Sequence, residues 1–224
     1  MITVTIKDLN SFNHDILCPS SIQSAEPLEI ILSDNGHRIL FKNSEFKLNY
    51  QENSFQQLLQ TPHPLLKALG KKKSTVLDAC GGFGKDSFIM AHHGHQVTTC
   101  ESNPVIFTLL DQAIKNYCAE SHLMWTSYFG ASQKLMSASS FDIVYLDPMF
   151  QIKRSAKPKI GMQIIQSLTT PTPAFNLWVT AYNAAKSRLV VKQHQQEPAI
   201  ESLPKPHQSI NGKRNIRYDI YLKD

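Results

Sequence analysis

The chain has 224 residues, of which 42% are hydrophobic and 18% charged, enough to bury one ordinary α/β core and unlike a disordered or fibrous composition. Its 23 Lys and Arg outnumber 18 Asp and Glu, and the resulting net charge of +5 permits a polyanionic partner without demanding one. No stretch is long and apolar enough to span a bilayer, and residues 1–10 alternate polar and apolar side chains instead of building a signal-peptide core. Cys18, Cys80, Cys100 and Cys118 form no Cys-x-x-Cys pair and lack zinc-type spacing to histidine, so a reduced, cytoplasmic protein without a metal centre is expected.

In chain order, residues 1–70 read as a small β-rich elaboration. Ile2, Val4 and Ile6 alternate as in a strand, and Leu28 to Leu32 and Arg38 to Phe41 flank Asn35-Gly36, which predicts a β-hairpin. From Ser54 to Leu69 the spacing of Phe55, Leu58, Leu59, Leu65, Leu66 and Leu69 predicts helix, interrupted at Pro62 and Pro64. Residues 71–224 change to alternating strands and helices. Strands are predicted at Thr75 to Cys80, Gln96 to Cys100, Phe141 to Leu146, Arg188 to Lys192 and Tyr218 to Leu222. Helices are predicted from Ser87 to near Gly94, from Asn103-Pro104 through about Tyr117, and from Ala174 to Lys186. This alternation implies an α/β fold with a doubly wound, mostly parallel sheet. The Pro- and Lys-containing stretches 151–173 and 193–217 are then candidate functional loops at the carboxyl ends of strands, where such sheets bind ligands.

The first chemical signal is Asp78-Ala79-Cys80-Gly81-Gly82-Phe83-Gly84-Lys85-Asp86. Gly82 and Gly84 have no Cβ, so the backbone can approach a flat cofactor closely. Glu101 follows Gly84 by 17 residues, at the end of the next strand, where a carboxylate can accept from both ribose hydroxyls of an adenosine. A dinucleotide fingerprint requires a third glycine, but Lys85, Asp86 and Ser87 stand there instead. Asp78 and Asp86 would repel a pyrophosphate, whereas they suit the cationic sulfonium and ammonium of S-adenosylmethionine.

The second signal is Asp147-Pro148-Met149-Phe150, directly after the apolar strand Ile143 to Leu146 and 63 residues beyond Gly84. It resembles the (Asp/Asn)-Pro-Pro-(Tyr/Phe) motif of methyltransferases that act on exocyclic amino groups of nucleic-acid bases. An aromatic amine is a poor nucleophile because its lone pair is delocalised into the ring. Asp147 and the Pro148 carbonyl can accept its two N–H groups, fix its orientation and help localise the lone pair. Phe150 would stack on the base. No covalent nucleophile is required.

Together the two motifs resemble the RsmJ family, the bacterial 16S ribosomal RNA guanine-N2 methyltransferases. The resemblance runs from about residue 74 to the C-terminus, through Leu77 to Asp86, Glu101 to Val105, Val144 to Phe150, Gln166-Ser167-Leu168, Arg188 to Lys192 and Arg217 to Tyr221. It implies a Rossmann-like class I methyltransferase domain over residues 71–224 and methyl transfer to a guanine N2 amine of 16S rRNA in the small ribosomal subunit. It further implies cofactor contacts from Lys85, Asp86, Glu101, Ser102, Ser132, Gln133 and Asp147. Two departures stand out. The family's basic, glycine-rich segment, roughly His-Arg-Arg-Lys-Phe-Gly-Gly-Gly, is replaced by Asn53 to Leu59, and the His-Lys after its tetrad by Gln151-Ile152-Lys153.

Lys153, Arg154, Lys157 and Lys159 follow the tetrad, and Lys213, Arg214 and Arg217 precede the last strand; both groups are candidate phosphate contacts for RNA. His92, His93 and His95 cluster around Gly94 at the end of a helix, away from the cofactor loop, and fit dipole and capping roles better than metal binding. Adenine-N6 or protein-glutamine methylation, which use related tetrads, and a catalytically silent RNA-binding assembly factor are the competing functions.

Overall fold

The computed structural model describes residues 2–6, 24, 26–33, 36–148, 158–169, 175–213 and 215–223. Two sheets organise these residues. The first joins β1 (Ile2–Ile6), β2 (Leu28–Leu32), β3 (Arg38–Phe41) and β4 (Ser44–Lys47) in that order, with β1 parallel to β2 and the other pairs antiparallel. The expected hairpin is present, with Leu28 opposite Phe41 and Ile31 opposite Arg38. Gly36 in its turn has φ +114°, a conformation that side-chain-bearing residues rarely adopt.

A short helical passage follows. α1 (Asn53–Gln56) runs into a 3-10 turn at Gln57–Leu59, and α2 (Pro64–Leu69) begins with Pro at its first position. The break expected at Pro62 and Pro64 is real, and His63 caps α2 by accepting from the Leu65 N–H. Tyr50, Leu65, Ala68 and Leu69 then enter the core shared with the second sheet.

That sheet has seven strands. β5 (Thr75–Asp78), β6 (Gln96–Glu101), β7 (Trp125–Phe129), β8 (Phe141–Leu146), β9 (Ala185–His194), β10 (Gln208–Asn211) and β11 (Ile216–Leu222) lie in the order β10-β11-β9-β8-β5-β6-β7. The five from β9 to β7 are parallel, and β11 and β10 add an antiparallel edge. Central strands read Val-Leu and Ile-Val-Tyr-Leu without alternation because helices cover both faces. α3 (Lys85–His92) and α4 (Pro104–Ser121) pack on one face; α5 (Ser132–Ala138) and α7 (Phe175–Ala184) pack on the other. Strand order reverses between β5 and β8, so the connections leaving their carboxyl ends turn to opposite faces of the sheet and frame the crevice in which open α/β sheets bind ligands.

Several expectations need correction. β7 and α5 occupy a span between residues 117 and 141 for which the sequence pattern predicts no element, and α6 (Ile160–Leu168) lies within the stretch expected to be loop. β10 lies within the second such stretch. β7 and β10 are edge strands, which pair on one side only and therefore tolerate Thr-Ser and Gln-Ser. α7 ends at Ala184 and β9 starts at Ala185 with no intervening loop, three residues before the expected strand. α6 packs Ile164 and Leu168 against Leu28, Ile30 and Phe41 of the first sheet and against Val105 and Ile106 of α4. Through α6 and α4, the small sheet is fastened to the ligand side of the large one.

Candidate active site

β5 delivers Asp78 to the crevice, where it is buried. The Cys80 N–H donates to its Oδ1 at 3.3 Å and the Ser87 hydroxyl to its Oδ2 at 2.6 Å. Ser87 itself accepts from Thr99, whose hydroxyl accepts from the Trp125 indole, so a buried relay crosses from β7 to the glycine loop. Burial pushes the Asp78 carboxyl up to about 7; the Ser87 bond opposes that rise, and the charges of Asp86 and Asp147 reinforce it.

The loop itself is tightly specified. Gly81 donates to the Cys100 carbonyl at 2.9 Å, and a Cβ there would lie 2.2 Å from the Thr99 methyl. Gly82 and Gly84 have φ of +52° and +65°, and Gly84 caps α3. Glu101 ends β6 with both oxygens engaged: the Gly82 N–H donates to Oε2 at 3.0 Å and the Asn103 N–H to Oε1 at 2.6 Å. Burial raises its pKa, opposed by these N–H groups and that of Ser102. Each oxygen has a second lone pair with which to meet a ribose hydroxyl. The Gly130 N–H donates to the Glu101 carbonyl, which ties the loop before α5 to this acid. At the start of α5, Ser132 is buried and Gln133 exposed.

On the other side of the reversal stand Asp147 and Pro148, immediately after β8. One residue that the sequence reasoning did not select connects them to the loop. Lys192, on β9, donates to Asp147 Oδ2 at 2.6 Å and to Asp86 Oδ2 at 2.7 Å. The Tyr145 hydroxyl also donates to Asp86 Oδ2, at 2.5 Å. Burial works against the Lys192 ammonium, but Asp86 and Asp147 together hold its pKa well above the ordinary lysine range. Burial likewise opposes the Asp86 charge, and Lys192 reverses the balance and lowers its pKa. The sequence signal for Lys192 was its place at the end of an apolar strand; its partners lie 45 and 106 residues away, which only the sheet order brings together.

Arg217 has a different task from the expected RNA contact. Its Nε donates to both Asp219 oxygens, and its terminal nitrogens donate to the carbonyls of His194, Gln195, Glu197 and Pro198 and to the Gln193 side chain. With its donors spent inside the protein, it clamps the loop after β9 instead of presenting a cation. Lys159 is exposed just before α6, and Lys85 is exposed at the start of α3. Met149, Phe150, Lys153, Arg154, Lys157 and Arg214 lie outside the described residues. Among the described histidines, His92 pairs with the Tyr117 hydroxyl and His95 accepts from the Ser74 N–H. No cluster among the described residues has the make-up of a metal site, and no helix among them is long and apolar enough to cross a membrane.

Carboxylates at the ends of three adjacent parallel strands, a glycine loop and an aspartate-proline turn across the strand reversal define a Rossmann-like S-adenosylmethionine-dependent methyltransferase. The family described as "Putative SAM-dependent methyltransferase" matches residues 26–223. Ribosomal RNA small subunit methyltransferase J of Desulfotalea psychrophila is 35% identical over 174 residues, covering 72% of this chain and 66% of its own length. The same-named protein of Pectobacterium atrosepticum is 35% identical over 171 residues, covering 70% of this chain and 67% of its own length. The chain belongs to this family of ribosomal RNA small subunit methyltransferases J, and its match spans just under two thirds of the Desulfotalea relative. A SAM-dependent methyltransferase of Neisseria gonorrhoeae shares the fold with TM-score 0.72 at 23% identity, over 98% of this chain and 95% of that one.

Proposed function

We propose that this chain methylates the exocyclic N2 amine of a guanine in 16S rRNA, within the small ribosomal subunit and in the cytoplasm, with S-adenosylmethionine as donor. The observation that carries the reading is the meeting of Asp147 with the glycine-loop residue Asp86 on one lysine, which sets an amine-accepting carboxylate beside a cation-tolerant cofactor cleft. The relatives' names point to small-subunit ribosomal RNA as the substrate, and guanine N2 is the position that the tetrad's chemistry and the family resemblance favour.

The donor set fits the cofactor. Asp78 and Asp86 would face its cationic end, Gly82 and Gly84 would allow close backbone approach, and Glu101 with Ser102 would hold the ribose. Lys85, Ser132 and Gln133 complete the cleft in this reading, with Ser132 and Gln133 on the adenine side. When bound, the cofactor supplies an electrophilic methyl group on a sulfonium. Asp147 and the Pro148 carbonyl accept the two N–H groups of the guanine amine and hold its lone pair in line. Phe150 stacks on the extruded base, while Lys153, Arg154, Lys157 and Lys159 neutralise nearby phosphates. Residues 1–70 are an elaboration on the methyltransferase domain of residues 71–224, attached through α6.

The test incubates purified protein and methyl-labelled cofactor with small ribosomal subunits, free 16S rRNA or duplex DNA, and identifies the product nucleoside by mass spectrometry. N2-methylguanosine from subunits or rRNA is expected. Methyladenosine, or no labelled nucleoside from any substrate, refutes the reading. Asp147→Ala is expected to keep the thermal shift given by S-adenosylhomocysteine while losing methyl transfer.

A further inference from the structure

We infer that Lys192 is a positioning residue for the proposed amine methylation: its ammonium holds the Asp147 carboxylate in its accepting orientation and couples it to the cofactor loop through Asp86. The inference rests on the functional reading above, but its physical core is independent of the substrate.

The geometry is that of one cation shared between two acids. Lys192 Nζ lies 2.7 Å from Asp86 Oδ2 and 2.6 Å from Asp147 Oδ2. The side chains are 18% exposed for Lys192 and 11% for Asp86, against 36% for Asp147. The cation is therefore withdrawn while the acid it holds reaches the crevice. Asp86 is fixed from a second side by the Tyr145 hydroxyl, and Tyr145 and Asp147 are two residues apart on and just after β8. A lysine stem is flexible by itself, so this ammonium defines a position only because Asp86 and Tyr145 anchor it. Asp147 follows β8 at a turn, and its 2.6 Å contact with the Lys192 ammonium restrains the rotation of its carboxylate. An acceptor that must align an amine loses much of its effect when it rotates.

The charge balance gives the second half of the argument. Asp78 approaches from β5, Asp86 from α3, and Tyr145 and Asp147 from β8; Tyr218 on β11 is the cross-strand neighbour of Lys192. His63, before α2, also faces Asp86 and Lys192, with Lys85 and Lys213 beyond it. The Cys80 thiol lies beside Asp78 and Asp147 and is kept neutral by burial. Among the described residues, Lys192 is a cation in contact with both Asp86 and Asp147. Without it the two carboxylates would repel across the space it fills, which raises the pKa of the pair. A protonated Asp147 would offer a hydroxyl donor to an amine that needs an acceptor. The Lys192 charge thus favours the ionised form of both acids, and its contact aims Asp147.

The experiment compares wild type, Lys192→Met and Lys192→Arg by two readouts. The first is 13C NMR titration of aspartate carboxylates in the cofactor-free proteins between pH 4 and 9, with Asp147→Asn added to assign the signal. Besides the Asp78 carboxyl, which titrates at about 7 in wild type, an additional carboxylate titrating between about pH 5 and 8 is expected in Lys192→Met, absent from wild type and from Lys192→Arg, and altered by Asp147→Asn. The second is methylation of small subunits as a function of pH. Lys192→Met is expected to lose roughly tenfold or more in kcat at pH 7, with the acidic limb moved to higher pH and KM for the cofactor within about threefold. Lys192→Arg should recover the wild-type limb and much of kcat. An unchanged carboxylate titration in folded Lys192→Met, or an unmoved limb, overturns the inference. A wild type that methylates no RNA refutes the functional reading instead, and the NMR titration then still decides whether Lys192 governs these acids.

Discussion

Asp78 carries the sharpest energetic consequence of this architecture. Its carboxyl is pushed from 3.8 to about 7 by burial, so the folded chain binds a proton there more tightly than the unfolded chain does. The sign follows from linkage: with the folded pKa raised, this contribution to stability is fully present below pH 3.8 and is lost as pH rises to about 7. Each pH unit inside that window costs about 1.4 kcal/mol, so moving from pH 5 to pH 8 costs roughly 2.7 kcal/mol through this one group. Asp78→Asn removes the titration while conserving shape. Its amide oxygen can accept from one of the two present donors, and the relay through Ser87 can reverse to meet the amide N–H. Other groups also titrate, including Glu101 with its raised pKa, so the informative quantity is the difference between variant and wild type. Urea unfolding of both cofactor-free proteins at half-unit steps from pH 5 to 8 gives that difference directly. The variant should gain on wild type by about 2–3 kcal/mol across the range, with the change concentrated below pH 7. A difference flat to within about 0.5 kcal/mol would show that Asp78 is ionised normally and that burial does not govern it.

Two further substitutions test how the site is held. Gly81→Ala places a Cβ 2.2 Å from the Thr99 methyl and 3.0 Å from the Cys100 carbonyl, and Thr99 is held by Trp125 and Ser87. A loss of about 1–3 kcal/mol in unfolding free energy is expected, together with loss of the thermal shift given by S-adenosylhomocysteine. Arg217→Met strands the buried Asp219 and frees the loop carbonyls, and should destabilise the chain by about 3–5 kcal/mol. The same variant, tested below its melting temperature, should leave the salt dependence of RNA binding unchanged, because the guanidinium faces inward; a slope reduced by about one would return Arg217 to the phosphate contacts.

Much of this was legible in one dimension because the relevant physics is local. Asp78 to Gly84 shows a strand running into glycines whose positive φ the structure then displays at Gly82 and Gly84. Asn103-Pro104 shows a helix start, and the Asn103 side chain accepts from the Val105 and Ile106 N–H groups as a cap should. Apolar runs identified the central strands because burial on both faces requires them. Local patterns failed where the surroundings set the outcome. β7 and β10 were obscured by the polar residues that an edge permits, and α6 by flanking Pro and Lys residues although its Ile164 and Leu168 are buried against another sheet.

Arg217 and Lys192 mark the division most clearly. Both are cations near the ends of late strands, and charge alone does not tell them apart. Tertiary structure turned Arg217 inward onto Asp219 and the loop carbonyls, and placed Lys192 between two acids drawn from separate elements. The sequence by itself determined the glycine loop, the acids at the strand ends and the Asp-Pro turn, since each is written in consecutive residues. Only the sheet order, with β8 and β9 laid beside β5, decided which charges meet, because hydrogen-bonded strand pairing sets distances that chain separation does not encode.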